Sequence, residues 1–345
     1  MPVCGSQVYL CDVPIRFDNY KGCSHACEYC FAKQFKDISL IERGESPNQL
    51  LSFIKGNRTK NTSWCDWDIP IHWGGLSDPL QPCEKKHKTT LECLKILKET
   101  QYPFIISTKG KLVAEDPYLT LLSECNAVVQ ISLVSPKYDK IEQGCPTFNQ
   151  RMDMIRKVAP KVKRLIVRIQ PYMTEVYQDV YNALEEYAKA GVYGVVFEGM
   201  KFKKKKEGLI RTGGDFVYEY DLIEKHAKSL KKRANSLGLK FYCGENRLRY
   251  LGDSLSCCGC DNLEGFKPNT FNLNHILHND RNVKPTEAMV NKGTASAFNG
   301  IHQEAGISKY YQEASFATAM ITEYQQYKDK IDKVFGIDKR RKRKK

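Results

Sequence analysis

The sequence predicts an α/β protein on parallel strands, and three observations carry that reading. Short β-branched runs alternate with amphipathic helical stretches between residues 66 and 197, the pattern of parallel strands joined by helical crossovers. A hydrophobic content of 41% and an aromatic content of 11% argue against general disorder. At 345 residues the chain is long enough to bury a full core. A parallel barrel and an open doubly wound sheet both fit this pattern.

In chain order, residues 13–17 form an extended stretch leading into a cysteine-bearing loop at 19–31, and the earlier Cys4 and Cys11 read as ordinary buried thiols ahead of extra metal ligands. Residues 32–55 read as helical, and 66–73 as a strand closed by Gly74 and Gly75. Then come a helix near 89–99, a strand at 104–108, a helix near 118–123 and a strand at 127–133. A helix at 148–158, a strand at 164–169, a helix at 177–190 and a strand at 192–197 complete the series. Beyond Gly199 the pattern changes to a basic loop at 201–206, a lysine-rich helix at about 220–237 and one more strand at 239–243. From residue 268 onward the chain is polar, with a helix near 310–333. This divides it into a barrel region at 1–200, a basic and cysteine-rich extension at 201–268, and a polar, helical C-terminal region at 269–345 ending in a basic tail.

No apolar run approaches the roughly 20 residues of a membrane-spanning helix, and the N-terminus lacks a signal-peptide pattern. The expectation is a soluble, cytoplasmic protein with no membrane partner. Fourteen cysteines without a secretion signal then point to metal ligands and free thiols rather than to a disulfide framework. The formal charge of +14 suggests a polyanionic partner, although seven of those charges lie in the run Lys339 to Lys345, which by itself reads as a solvated tail.

The most informative stretch is Asn19-Tyr20-Lys21-Gly22-Cys23-Ser24-His25-Ala26-Cys27-Glu28-Tyr29-Cys30-Phe31, which places Cys23, Cys27 and Cys30 at the spacing C-x3-C-x2-C. Three thiolates can hold three irons of a 4Fe-4S cubane and leave the fourth iron open to a ligand that is not protein. The alternatives are a zinc site, for which His25 is the local fourth ligand, a disulfide pair, or unconnected thiols. Outside a zinc site, His25 reads as an exposed loop residue near the cluster.

The spacing, the glycine before the first cysteine and the aromatic Tyr29 between the second and third resemble the radical S-adenosylmethionine superfamily. That resemblance implies a partial (β/α)6 TIM-like barrel, with functional residues at the C-terminal ends of its strands. It also implies that S-adenosylmethionine binds the open iron and is split reductively to methionine and a 5'-deoxyadenosyl radical. Gly74 and Gly75 fall where such enzymes place a glycine-rich turn against the methionyl amino group. Ser77-Asp78-Pro79-Leu80-Gln81-Pro82-Cys83-Glu84 and Ser107-Thr108-Lys109 resemble, more narrowly, the spore photoproduct lyase branch. On that resemblance Tyr29, Ser77, Lys109, Ser132 and Arg168 line the S-adenosylmethionine site, with Lys109 as the charge partner of its carboxylate. Where the lyase carries the cysteine that returns a hydrogen atom, this chain has Gly75, and at one of two tyrosine positions it has Phe31. Repair by the lyase's route is therefore not expected, and Cys83, beside Asp78, is the substitute donor candidate in a catalytic pair that also reads as a packed thiol and its neighbour.

Cys243, Cys257, Cys258 and Cys260 are candidates for a second iron–sulfur cluster or a zinc, with His275 or His278 as substitute ligands. Glu245, Asn246, Arg247 and Arg249 read as loop residues able to contact a polar substrate. The expected function is radical modification or rearrangement of a nucleic-acid base, in DNA ahead of RNA, fed by an electron donor such as flavodoxin or ferredoxin. Modification of a peptide or small metabolite, and a non-catalytic nucleic-acid-binding protein with a structural metal, are the competing readings.

Overall fold

A computed structural model describes residues 1–267 apart from 5–10, 35–36, 58, 60–61, 63–68 and 213–214. The expected helix near 310–333, the rest of the 269–345 region, His275, His278 and the tail Lys339 to Lys345 lie outside the described residues.

The elements run in the order β1 (Val3–Cys4), β2 (Ile15–Phe17), β3 (Tyr20–Lys21), β4 (Glu42–Arg43), α1 (Pro47–Ile54), β5 (Ile71–Trp73), α2 (Glu84–His87), α3 (Thr89–Thr100) and β6 (Phe104–Thr108). They continue with α4 (Tyr118–Glu124), β7 (Ala127–Ser132), α5 (Phe148–Val158), β8 (Arg164–Tyr172), α6 (Tyr177–Lys189), β9 (Gly194–Gly199), β10 (Leu209–Thr212), β11 (Asp215–Tyr218), α7 (Tyr220–Ser236) and β12 (Lys240–Cys243). The sheet order is β1-β2-β5-β6-β7-β8-β9-β12. Every neighbouring pair from β2 to β12 is parallel, and only β1 on β2 is antiparallel. The expected parallel barrel-type fold is therefore present. Among the described residues it has seven parallel strands, the last being the further strand read at 239–243, where Lys240 to Cys243 pairs with Gly194 to Phe197.

The helix expected over 32–55 is shorter. Only α1 is α-helical there, starting at a capping box in which the Ser46 side chain and Gln49 satisfy each other's backbone N–H groups. Ahead of it, Phe31–Gln34 makes a short 3-10 turn and β4 pairs with β3 at the cluster loop.

The central strands β6 to β9 bury both faces along their apolar stretches. Phe104, Ile106, Val129, Val167, Val195 and Phe197 point outward into the core formed with the helices. The alternate residues Ile105, Val128, Ile166, Val196 and Tyr242 point inward, where Cys258 and Cys260 cover them. The chain after β12 thus fills the lower interior, held there by Arg164 Nη1 donating to Gly259 O at 2.7 Å. No helix among the described residues is long and apolar enough to cross a membrane.

Candidate active site

The loop carrying Cys23, Cys27 and Cys30 leaves the C-terminal end of β2, the end at which β5 delivers Gly74 and β6 delivers Lys109. Its turns are closed by Cys23 O accepting from Ala26 N–H at 3.4 Å and Cys27 O from Cys30 N–H at 3.1 Å. None of the three cysteines is in a disulfide. Burial and the Asp78 charge push Cys23 up to about 12, whereas Cys145, 3.6 Å from the Cys27 sulfur, holds Cys27 down to about 6. Ligation needs thiolates, so cluster loading is coupled to proton release.

Two segments grip this loop. From the β5 side, the Ser77 hydroxyl donates to Tyr20 O at 2.7 Å, and Gln81 accepts from Ser24 N–H at 2.9 Å and donates to Gly22 O at 3.2 Å. The buried Glu84 accepts from the Tyr20 and Tyr118 hydroxyls and from the Thr90 and Leu91 N–H groups that open α3. From the β7 side, Ile141 O accepts from Glu28 N–H at 2.9 Å, and Gly144 exchanges hydrogen bonds with His25. His25, expected in the open, is 3% exposed. Its Nδ1 donates to Gly144 O at 2.9 Å and its Nε2 lies 3.1 Å from Asp78 Oδ2. Both nitrogens being engaged, His25 is not placed to ligate zinc.

Asp78 accepts from Leu80 N–H, Thr108 Oγ1 and Lys109 N–H at 2.8, 2.7 and 2.6 Å. Burial works to raise its carboxyl, but His25 and these donors outweigh burial and hold it below the usual range. Asp78 and Ser77 are thus spent on the architecture of the cluster loop. Cys83 precedes α2, half-buried, with burial and Glu84 pushing its thiol up to about 11.

Lys109 packs against side chains of this chain. Its Nζ is 3.8 Å from Glu142 Oε1 and 5.5 Å from the centre of the Tyr29 ring, whose hydroxyl donates to the same carboxylate. Arg151 closes the group, donating to Glu142 at 2.5 Å and to Ser132 O at 2.9 Å. Burial pushes Glu142 up to about 7 against the pull of Arg151. Gly74 has φ +90°, and a Cβ there would sit 2.5 Å from Ser107 O, while at Gly75 the nearest atom would be 3.5 Å away.

One layer above Ile105, Val128, Ile166 and Val196, the inward residues become polar. His72 Nε2 bonds Ser107 Oγ at 2.9 Å, Ser107 donates to Gln130 Oε1 at 2.9 Å, and Arg168 Nη1 donates to that oxygen at 2.7 Å. Arg168 also donates to Gln170, which donates to Glu198 at 2.6 Å, and Lys201 completes the chain on Glu198 at 2.9 Å. Burial, with Arg168 and Arg16 nearby, pushes His72 down to about 3, so it is neutral. Gln130, Gln170, Glu198 and His72 carry no motif, although Gln130 and Glu198 follow the inward Val128 and Val196 by two positions.

The second cysteine group divides. Cys243 faces outward, its thiol on Glu245 O at 3.6 Å, whereas Cys257 and Cys258 lie 3.5 Å apart inside with Cys11 packed beside them. Cys260 meets Ser256 Oγ at 3.5 Å. Glu245, Arg247 and Arg249 are buried rather than presented to a substrate, Glu245 pairing with Arg247 at 2.9 Å. Among the described residues no three His, Cys, Asp or Glu side chains converge as ligands of one ion. Among the described residues, then, neither group is gathered about one ion, whereas cubane thiolates each bind a different iron.

No protein-family model matches the chain. Uncharacterized proteins of Mycobacterium bovis and Mycobacterium tuberculosis are 25% identical to it over 231 residues, 60% of this chain and 67% of theirs. Spore photoproduct lyase complexed with dinucleoside spore photoproduct superposes with a TM-score of 0.55 at 16% identity, over 67% of this chain and 77% of that one. The fold is that of spore photoproduct lyase. A mutant of the lyase with bound AdoMet and dinucleoside spore photoproduct matches equally, with a TM-score of 0.54 at 15% identity over 67% and 76% of the two chains. The lyase and this chain share an architecture, and the roles of the residues above rest on their own geometry.

Proposed function

We propose that this chain is a radical S-adenosylmethionine enzyme that modifies or rearranges a nucleic-acid base, in DNA in preference to RNA. The observation that carries the reading is the loop of Cys23, Cys27 and Cys30, gripped from two sides at the mouth of parallel strands and facing Lys109. These three cysteines would hold a 4Fe-4S cluster, which with S-adenosylmethionine at its open iron supplies reductive cleavage to methionine and a 5'-deoxyadenosyl radical. Lys109 offers a cation to the carboxylate of S-adenosylmethionine, and Gly74 lets the backbone approach it closely. Tyr29 and Glu142 fix the lysine head, and Arg151 anchors Glu142 to the end of β7. The chain from His72 to Lys201 lines the interior with amide donors and acceptors of the kind that read a base edge, reached once the base has left its stack.

The nucleic-acid reading is favoured by position. Lys201, Lys203, Lys204, Lys205 and Lys206 follow the C-terminal end of β9, the same end of the sheet as the cluster loop. The ligand with which the lyase is complexed, a dinucleoside photoproduct, favours the same substrate class, while Gly75 in place of the lyase's hydrogen-returning cysteine argues for a different product. An electron donor of the flavodoxin or ferredoxin class would reduce the cluster. The test is anaerobic reconstitution followed by assay of 5'-deoxyadenosine, with and without DNA, RNA or peptide. Replacing Cys23, Cys27 and Cys30 by alanine should abolish formation; undiminished formation overturns the assignment. Stimulation by peptide and not by DNA or RNA overturns the substrate class alone.

A further inference from the structure

Residues 141–145 approach the cluster loop closely. Glu28 N–H donates to Ile141 O at 2.9 Å and Gly144 N–H to His25 O at 3.2 Å, and a Cβ on Gly144 would lie 2.3 Å from Ser24 O. The next residue, Cys145, has its backbone fixed by donation to Glu142 O at 2.8 Å and brings its sulfur to 3.6 Å from that of Cys27. Nothing in the spacing of the cluster motif points to this cysteine, which is 118 residues away in sequence.

We propose that Cys145 is a positioning residue for the cluster: its S–H donates a hydrogen bond to the sulfur of Cys27 when that sulfur binds iron, and this bond raises the cluster's reduction potential. The proposal rests on the cluster reading above. As an iron ligand Cys27 carries no proton, so of the two sulfurs only Cys145 can donate. One-electron reduction adds negative charge that is shared with the ligand sulfurs, and a donor aimed at one of them stabilises the reduced state more than the oxidised one. The geometry is specific to Cys27, because the backbone pairing of Gly144 with His25 holds the donor beside that ligand.

The test compares wild type with Cys145→Ala, Cys145→Val and Cys145→Ser as full-length, anaerobically reconstituted proteins. Iron and sulfide are counted first, and the midpoint potential is then read by paramagnetic resonance during a reductive titration without S-adenosylmethionine. Alanine removes the donor and leaves space, valine removes it and keeps the volume, and serine keeps a donor; one loaded donor-less variant suffices. Potentials more negative than wild type for Cys145→Ala or Cys145→Val, with Cys145→Ser nearer to wild type, support the bond. Equal potentials in the donor-less variants and wild type overturn it, as does a serine variant shifted as far as the alanine one. A wild-type chain that takes up no iron and sulfide overturns the cluster reading, and this inference with it.

Discussion

His25 Nε2 and Asp78 Oδ2 lie 3.1 Å apart, both nearly excluded from water, and this contact ties the middle of the cluster loop to the end of β5. Burial works against a charge on the imidazole, but Asp78 and the Gly144 carbonyl outweigh it and raise His25 above its usual range. Removing one member of a buried pair leaves the other uncompensated, at a cost of about 3–5 kcal/mol. Asp78→Ala should therefore lower stability by that order and reduce the iron retained after reconstitution. Denaturant unfolding and iron analysis check both, and wild-type values in both would remove the pair from the loop's support.

Gly74 and Gly75 should respond unequally to alanine. At Gly74 the left-handed φ of +90° and the 2.5 Å approach to Ser107 O are both incompatible with a Cβ, so Gly74→Ala should cost at least about 1–3 kcal/mol in backbone strain. At Gly75 the added carbon meets only ordinary contacts with Arg16 and Asp18. Gly75→Ala should stay within about 0.5 kcal/mol of wild type. Thermal unfolding of the two variants decides, and equal losses would sink the distinction.

Glu142 gives a pH dependence. Its folded carboxyl is raised from 4.5 to about 7, so the folded state prefers the protonated form; that preference is present in full below about 4.5 and is lost as pH rises through about 7. Relative to wild type, Glu142→Gln should gain stability between pH 5 and 8, by at most about 3 kcal/mol. The quantity read is the change in the stability difference between those two pH values, which excludes any constant cost of the altered Arg151 contact. A difference that does not change with pH contradicts the account.

Lys109→Ala should weaken S-adenosylmethionine binding about tenfold or more, because a charge-assisted contact is worth roughly 1.5–3 kcal/mol. Equilibrium binding to protein of equal iron content is the measurement. Unchanged affinity would assign Lys109 to Glu142 and Tyr29 alone.

The parallel strands were legible because stretches such as Phe104 to Ile106 and Ala127 to Val129 are apolar on both faces, a local property of the sequence. The helix read over 32–55 failed for a local reason too: Ser46, Pro47 and Gln49 start a helix of their own, and the residues before Ser46 follow the cluster loop into β4. The three cluster cysteines were legible from spacing. Gln130, Cys145 and the buried state of His25 were not, since each is set by contacts across more than thirty residues, such as Arg168 on Gln130 and Gly144 on His25. Cys243 was grouped with Cys257, Cys258 and Cys260 by proximity in sequence. Strand alternation separates it, for Tyr242 points inward and its neighbour must point out.

The final prediction concerns the exposed lysines Lys204, Lys205 and Lys206 beyond β9. Lys203 is already paired with Asp215, and Lys201 with Glu198 at 2.9 Å, so these three are the better probes of a nucleic-acid contact. A lysine that neutralises a phosphate releases a counterion, so log affinity falls with log salt by about 0.9 per contact on duplex DNA. Such contacts place the strand without choosing the base, whose identity must be read deeper, at the chain from His72 to Lys201. Replacing all three by alanine should weaken binding to long DNA at low salt and flatten the salt slope by up to about 0.9 for each lysine that reaches a phosphate. Cleavage of S-adenosylmethionine in the absence of substrate should be unchanged, because a phosphate contact positions the strand and takes no part in the cleavage. Unchanged affinity and an unchanged slope would mean that these lysines are only a solvated surface, and that a nucleic-acid substrate would have to be recognised elsewhere on the chain.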